Sequence, residues 1–180
     1  MNKLTSINYI NALRGGIKMI EIKKSTCADT RSCDWSKVTK EQLLQQSKQH
    51  IDDVQRAISY LTAYLIHASD THDHTKLSHI DEFHKDFSCG FKTQDWYDMH
   101  KATERHHLET PDGIRDDVNL IDVLECVADC VMAGMGRSGS VRPSNISDET
   151  LRKALNNTMD LLASQVVVVD ETGGSDAEKD

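Results

Sequence analysis

Residues 117–135 read DVNLIDVLECVADCVMAGM, and this stretch decides the fold class. Leu120, Ile121, Leu124, Val127, Ala128 and Val131 recur at helical spacing and make one broad apolar face. Val118, Val123, Cys126, Cys130, Met132 and Ala133 cover most of the remaining circumference. A helix that is apolar nearly all round is expected at the buried centre of its domain. Yet Asp122, Glu125 and Asp129 share it at i, i+3 and i+7. Carboxylates on a buried helix need a metal or a base beside them, because an unpaired buried charge is strongly unfavourable. Asp122 has a second reading, as a solvent-facing residue at the helix start. Beyond the helix, Gly134, Gly136 and Gly139 around Arg137 read either as a flexible loop lining a site or as a plain helix end.

Upstream, Thr39 and Gln42 have the spacing of a capping box, which predicts a long helix running to about His67. Its apolar stripe is Leu43, Val54, Ile58, Leu61 and Leu65, with His50 embedded in it. A polar stretch follows from Ala68 to Leu77, then a shorter helix from Ile80 to Phe87 and a break at Cys89-Gly90. Thr93 is placed to cap a helix through His107, which a turn at Pro111-Asp112-Gly113 closes. Downstream, a helix from near Ser147 carries Leu151, Ala154, Leu155, Thr158, Met159 and Leu162 on one face. The run Val166–Val169 extends that helix, forms a short strand or docks on another subunit. Glu171 to Asp180 reads as a polar tail.

At the other end, Ser6 to Leu13 has the pattern of a short helix, Arg14-Gly15-Gly16 breaks it, and Ile17 to Ile22 has strand character. Met19 is a candidate natural start. The expected architecture is all-α: an N-terminal extension over 1–35, one helical domain over 36–165 and a tail over 166–180.

Composition narrows the function classes. A chain of 180 residues with 38% hydrophobic content can bury one sizeable core. No apolar run approaches the roughly 20 residues of a membrane span, and no signal peptide opens the chain, so a soluble cytoplasmic protein is expected. A net charge of −8 argues against a broad nucleic-acid-binding surface but leaves room for a local basic pocket. Cys27, Cys33, Cys89, Cys126 and Cys130 form no CxxC pair and read as reduced thiols. All 9 histidines fall between His50 and His107. Solubility does not require that concentration.

In chain order the candidates are His50, His72-Asp73, His106-His107 and Asp129, with His100 ranked just below the His pair because it shares a face with Trp96, Thr103 and His107. Imidazole and carboxylate together suit a divalent transition metal such as Mn, Fe, Zn, Co or Ni. Glu125 is the acceptor expected to orient a ligating histidine. Lys76, Arg105 and Arg137 are the cations available to a phosphate, whereas His67, His74, His79 and His84 read as surface groups.

The order H…HD…HH…D, with His72-Asp73 opening an HDxxK run that ends at Lys76, resembles the HD superfamily of metal-dependent phosphohydrolases. The likeness spans roughly Glu41 to Gly139. Within it, HDHTKLSHIDEF, HKATERHHLE and LIDVLECVADC resemble a group of small phage and bacterial proteins. The resemblance implies an HD-type helical domain with His50, His72, Asp73 and Asp129 as ligands of one ion, and His106-His107 as ligands of a second. It implies a small phosphorylated substrate such as a nucleotide, with Asp73 orienting the attacking water and Lys76 stabilising the phosphate. A homodimer is an expectation on the same ground, as is the host cytoplasm for a phage-encoded chain. RHHLETPDG departs from the motif of cyclic-dinucleotide phosphodiesterases, since Leu108 precedes the glutamate and no GYP follows. Two other readings of the same residues stay open: a di-iron oxygenase, and a metal-stabilised module that binds a nucleotide or a protein.

Overall fold

The computed structural model describes residues 19–25, 27, 31, 33–110 and 112–169. Ser6 to Leu13, the Arg14-Gly15-Gly16 break and the tail from Glu171 lie outside these residues. The chain is mostly helical, with only short strands. The described residues divide into two compact units, one of those up to residue 63 with 162–169 and the other of those from 64 to 161. The division falls inside the long helix.

In the first unit, β1 (Ile20–Lys23) pairs in parallel with β4 (Val166–Val169), Ile20 opposite Val166 and Lys23 opposite Val169. The valine run is therefore a strand, as its β-branched side chains favour. Helix α1 (Lys40–Thr71) opens on the predicted capping box, with the Gln42 amide donating to Thr39 Oγ1 at 3.1 Å and the Thr39 amide to Gln42 Oε1 at 2.9 Å. It meets the strand pair through polar groups. Gln49 Nε2 donates to the Lys23 carbonyl at 2.7 Å, and Arg56 Nη1 to the Glu21 carbonyl at 2.5 Å. The stripe read as core-facing is covered only in part: Leu61 and Leu65 are half-buried, whereas Leu43, Val54 and Ile58 are 41–58% exposed. Periodicity shows that a face is apolar but not what covers it.

The second unit begins with the last turns of α1 and continues through α2 (His74–Ser78), α3 (Ile80–Ser88) and α4 (Asp95–Thr103). Helix α4 stops four residues before His107, where sequence alone ran it on. Its N-terminus is held by α3: Asp86, 2% exposed, accepts from the amides of Trp96 at 2.8 Å and Tyr97 at 3.4 Å, and from the Thr93 hydroxyl. The cap thus comes from Asp86, and Thr93 serves as its donor. A two-residue hairpin, β2 (Glu109–Thr110) against β3 (Gly113–Ile114), leads to α5 (Leu120–Ser138) and then α6 (Asp148–Ala163).

The core of this unit is Leu108, Val118, Val123 and Ala154, with Ile114, Leu120, Cys126 and Ile146 packed around it. Helix α5 buries one face here, not its whole circumference: Leu124, Val127, Met132 and Met135 are 41–71% exposed. Asp122 corrects the solvent-facing alternative. It is 2% exposed and closes a capping box with Asn119, accepting from the Asn119 amide at 3.0 Å. The helix also runs through the expected glycine loop to Ser138. Gly134 is where the chain folds back, since a Cβ there would lie 2.5 Å from the Ser140 carbonyl oxygen and 2.6 Å from the Arg142 amide. No described helix is long and apolar enough to cross a membrane.

Candidate metal centre

The centre forms where α1 ends. Asp73 takes a left-handed backbone, φ 57° and ψ 21°, which aspartate tolerates better than most L-residues. That turn stops the helix after Thr71 and redirects the chain into α2. Helix α4 then contributes His100, the segment after it His106 and His107, and α5 Glu125 and Asp129.

Asp73 sits in the middle. Its Oδ1 lies 3.4 Å from His100 Nε2 and 3.6 Å from His106 Nε2, and its Oδ2 lies 3.4 Å from His72 Nε2 and pairs with the Lys76 ammonium. His72 Nε2 is also 3.8 Å from Asp129 Oδ1. Glu125 Oε1 accepts from His72 Nδ1 at 2.8 Å and lies 3.3 Å from His106 Nδ1 without hydrogen-bond alignment. Three overlapping groups offer ligand atoms within 4.8 Å of one another: His100, His106 and His107; His72, His106 and Glu125; His72, Asp73 and Asp129.

The electrostatics follow from burial against charge. Burial alone would raise the Asp73 pKa, but the Lys76 ammonium, with His72 and His106, holds it below the ordinary value. Glu125 is likewise lowered, as His106 and His72 outweigh its desolvation. Burial drives the His100 pKa down, and His107 is pushed down to about 3 by burial and by His106 and His100 beside it. Both imidazoles are therefore neutral near pH 7, the form that coordinates metal.

Three buried polar atoms of the cluster, Asp73 Oδ1, His106 Nδ1 and His107 Nε2, have no hydrogen-bond partner. A native core rarely leaves such groups unsatisfied. Converging imidazole and carboxylate donors, several of them without a hydrogen-bond partner, have the chemistry that suits a borderline divalent metal.

The remaining candidates lie elsewhere. His50 is exposed, belongs to the first unit and lines a cavity there with Lys23, Gln46 and Val168. Among the described residues it joins none of the three donor groups. Arg105 is taken up internally. Its Nε and Nη2 donate to the two Asp122 oxygens at 2.8 and 2.7 Å, and Nη1 to Asp117 Oδ2 at 2.7 Å. A guanidinium so engaged braces α5. Arg137 is exposed in the last turn of α5, eight residues past Asp129 and roughly 12 Å along the axis.

Sequence reading missed Thr75 and Glu104, which are 1% and 4% exposed. Glu104 Oε1 accepts from the Thr75 amide at 2.9 Å and from its hydroxyl at 2.5 Å. The nearest sequence signal is position, Thr75 two residues after the HD pair and Glu104 two before the HH pair. Compared with known proteins, the chain matches no family model, no curated protein and no solved structure.

The depressed histidine pKa values give the metal-free protein a defined acid response. Unfolded histidine titrates near pH 6.5, whereas folded His107 and His100 titrate lower, so the unfolded chain binds more protons in between. Their contribution is complete above about pH 6.5 and is lost as pH falls through that window. Urea titrations of chelator-treated protein should show stability dropping between pH 6.5 and 4, with a slope approaching roughly 1.4 kcal/mol per pH unit from His107 and a further contribution of the same sign from His100. A flat profile over that range would contradict the buried, neutral assignment.

Proposed function

We propose that this chain is a metal-dependent phosphohydrolase acting on a small phosphoester such as a nucleotide. The observation that carries the proposal is Asp73 Oδ1, buried and unbonded among the ligand atoms of His100 and His106. His72, Asp73, His100, His106, His107 and Asp129 are the residues that would hold Mn, Fe, Zn, Co or Ni. A divalent ion bound there lowers the pKa of a coordinated water toward about 7 and polarises a phosphoryl oxygen.

The chain's own groups supply the rest. Glu125 holds His72 by its Nδ1, which leaves Nε2 as the ligand atom. Asp73, kept ionised, can accept the proton of an attacking water. Lys76 brings a fixed positive charge to the Asp73 carboxylate, where it can stabilise charge developing on a phosphoryl oxygen. A cavity of about 360 Å³ opens beside His72, Glu125 and Asp129 and is walled by Leu65, Leu124 and Met132. Its apolar wall suits the organic part of a phosphoester, and its acidic end faces the centre. The free thiols of Cys27, Cys89, Cys126 and Cys130 fit a reducing, cytoplasmic setting.

The test is a screen of phosphomonoesters and nucleotides with protein reconstituted separately with each of the five metals. Phosphate release that follows metal loading supports the proposal. Full metal occupancy with iron and oxygen uptake but no phosphate release would overturn it in favour of an oxygenase. Occupancy without any turnover would leave a binding module.

A further inference from the structure

We propose that Thr75 and Glu104 form a relay that fixes His100 as its Nδ1–H tautomer, turning the Nε2 lone pair toward Asp73 as a ligand atom. The proposal rests on the metal centre described above and makes His100 a principal ligand.

The argument is proton counting. A threonine hydroxyl has one proton to donate and lone pairs to accept with. Thr75 Oγ1 lies 2.5 Å from the Glu104 carboxylate, which in its ionised form only accepts. The hydroxyl proton therefore points at Glu104, and the charge-assisted bond is the stronger of its two. The same Oγ1 lies 2.7 Å from His100 Nδ1. With its proton committed, Oγ1 can only accept there, so Nδ1 carries the imidazole hydrogen. Nε2 is left as a bare lone pair 3.4 Å from Asp73 Oδ1.

The opposite tautomer would put the hydroxyl proton between two acceptors and leave Glu104 short of a donor in a site 4% exposed. The ring cannot turn away easily either. Trp96 stacks on His100 with centroids 4.6 Å apart and planes at 18°, and Phe83 stacks behind Trp96 at 4.1 Å. Carboxylates commonly hold metal-ligating histidines by direct hydrogen bonds, as Glu125 holds His72 here. At His100 the same work passes through a hydroxyl. Thr75 and Glu104 are positioning residues that act through His100.

Thr75→Val removes the hydroxyl at nearly constant shape, Thr75→Ser restores it, and Glu104→Gln removes the charge. Two readouts apply to each purified full-length protein: the imidazole 15N shifts of His100 in the metal-free state, and zinc affinity by competition with a chromophoric chelator. The wild type and Thr75→Ser should show protonated Nδ1. Thr75→Val and Glu104→Gln should show a mixed or inverted tautomer with zinc bound about 10–100-fold more weakly. Unchanged shifts together with affinity within about threefold of wild type in Thr75→Val would overturn the relay. Should that variant fail to fold, Glu104→Gln decides by the same criteria. If the wild type itself binds no zinc, the metal reading fails, while the metal-free shifts still decide the relay.

Discussion

Asp73→Ala protein, purified beside the wild type, should retain no bound transition metal and show no phosphoester turnover. Asp73 faces imidazole nitrogens of His100 and His106 through one carboxylate oxygen and of His72 through the other, so one substitution takes a ligand from each side of the centre. The affinity loss should exceed the roughly 10–100-fold that follows removal of an outer hydrogen-bonding partner. Alanine also removes a residue suited to the left-handed backbone, so a loss could arise from the turn. Asp73→Asn separates the two causes, because asparagine tolerates that backbone but brings no negative charge. Metal analysis of the three proteins after reconstitution reads the result. Asparagine protein that melts like the wild type yet stays metal-poor locates the effect in the charge. Equal metal in all three would remove Asp73 from the centre.

Part of the fold and of the candidate site was legible in the sequence because it depends on local chemistry. A capping box needs only Thr39 and Gln42, and the helix start follows from them. The long helix outruns its expected end near His67 and reaches Thr71, just before the HD pair, whereas Glu125 and Asp129 are a turn apart on one helix whatever surrounds it. What was hidden is set by partners distant in sequence. Thr75 and Glu104 are 29 residues apart, and no spacing rule links them. His100 ranked low because its candidacy rests on burial between Trp96 and Thr75, which only the fold creates. The apolar circumference of α5 misled for a related reason. Its pattern records which side chains avoid water, and Met132 at 71% exposed shows that the described chain does not cover all of them.

Arg105, a cation held by Asp122 and Asp117, carries the second large effect. Arg105→Ala should lower unfolding free energy by about 3 kcal/mol, the low end for breaking a buried ion pair, because it strands a buried carboxylate. Asp122 is 3% exposed by side chain and its partner 39%, so solvent screens only the arginine end. In melting temperature this is a fall of roughly 6–12 °C for a chain of this size. Arg105→Lys should recover only part of the loss, since an ammonium cannot reproduce the two parallel bonds to Asp122. Adding Asp122→Asn to Arg105→Ala should be less damaging than the sum of the two single changes, because the stranded charge is gone. The competing reading, a phosphate-binding arginine, predicts the reverse pattern: an unchanged melt with a raised KM for the phosphoester. Thermal denaturation of the four proteins beside their kinetics distinguishes these outcomes, and a wild-type melt for Arg105→Ala would return the residue to the substrate site.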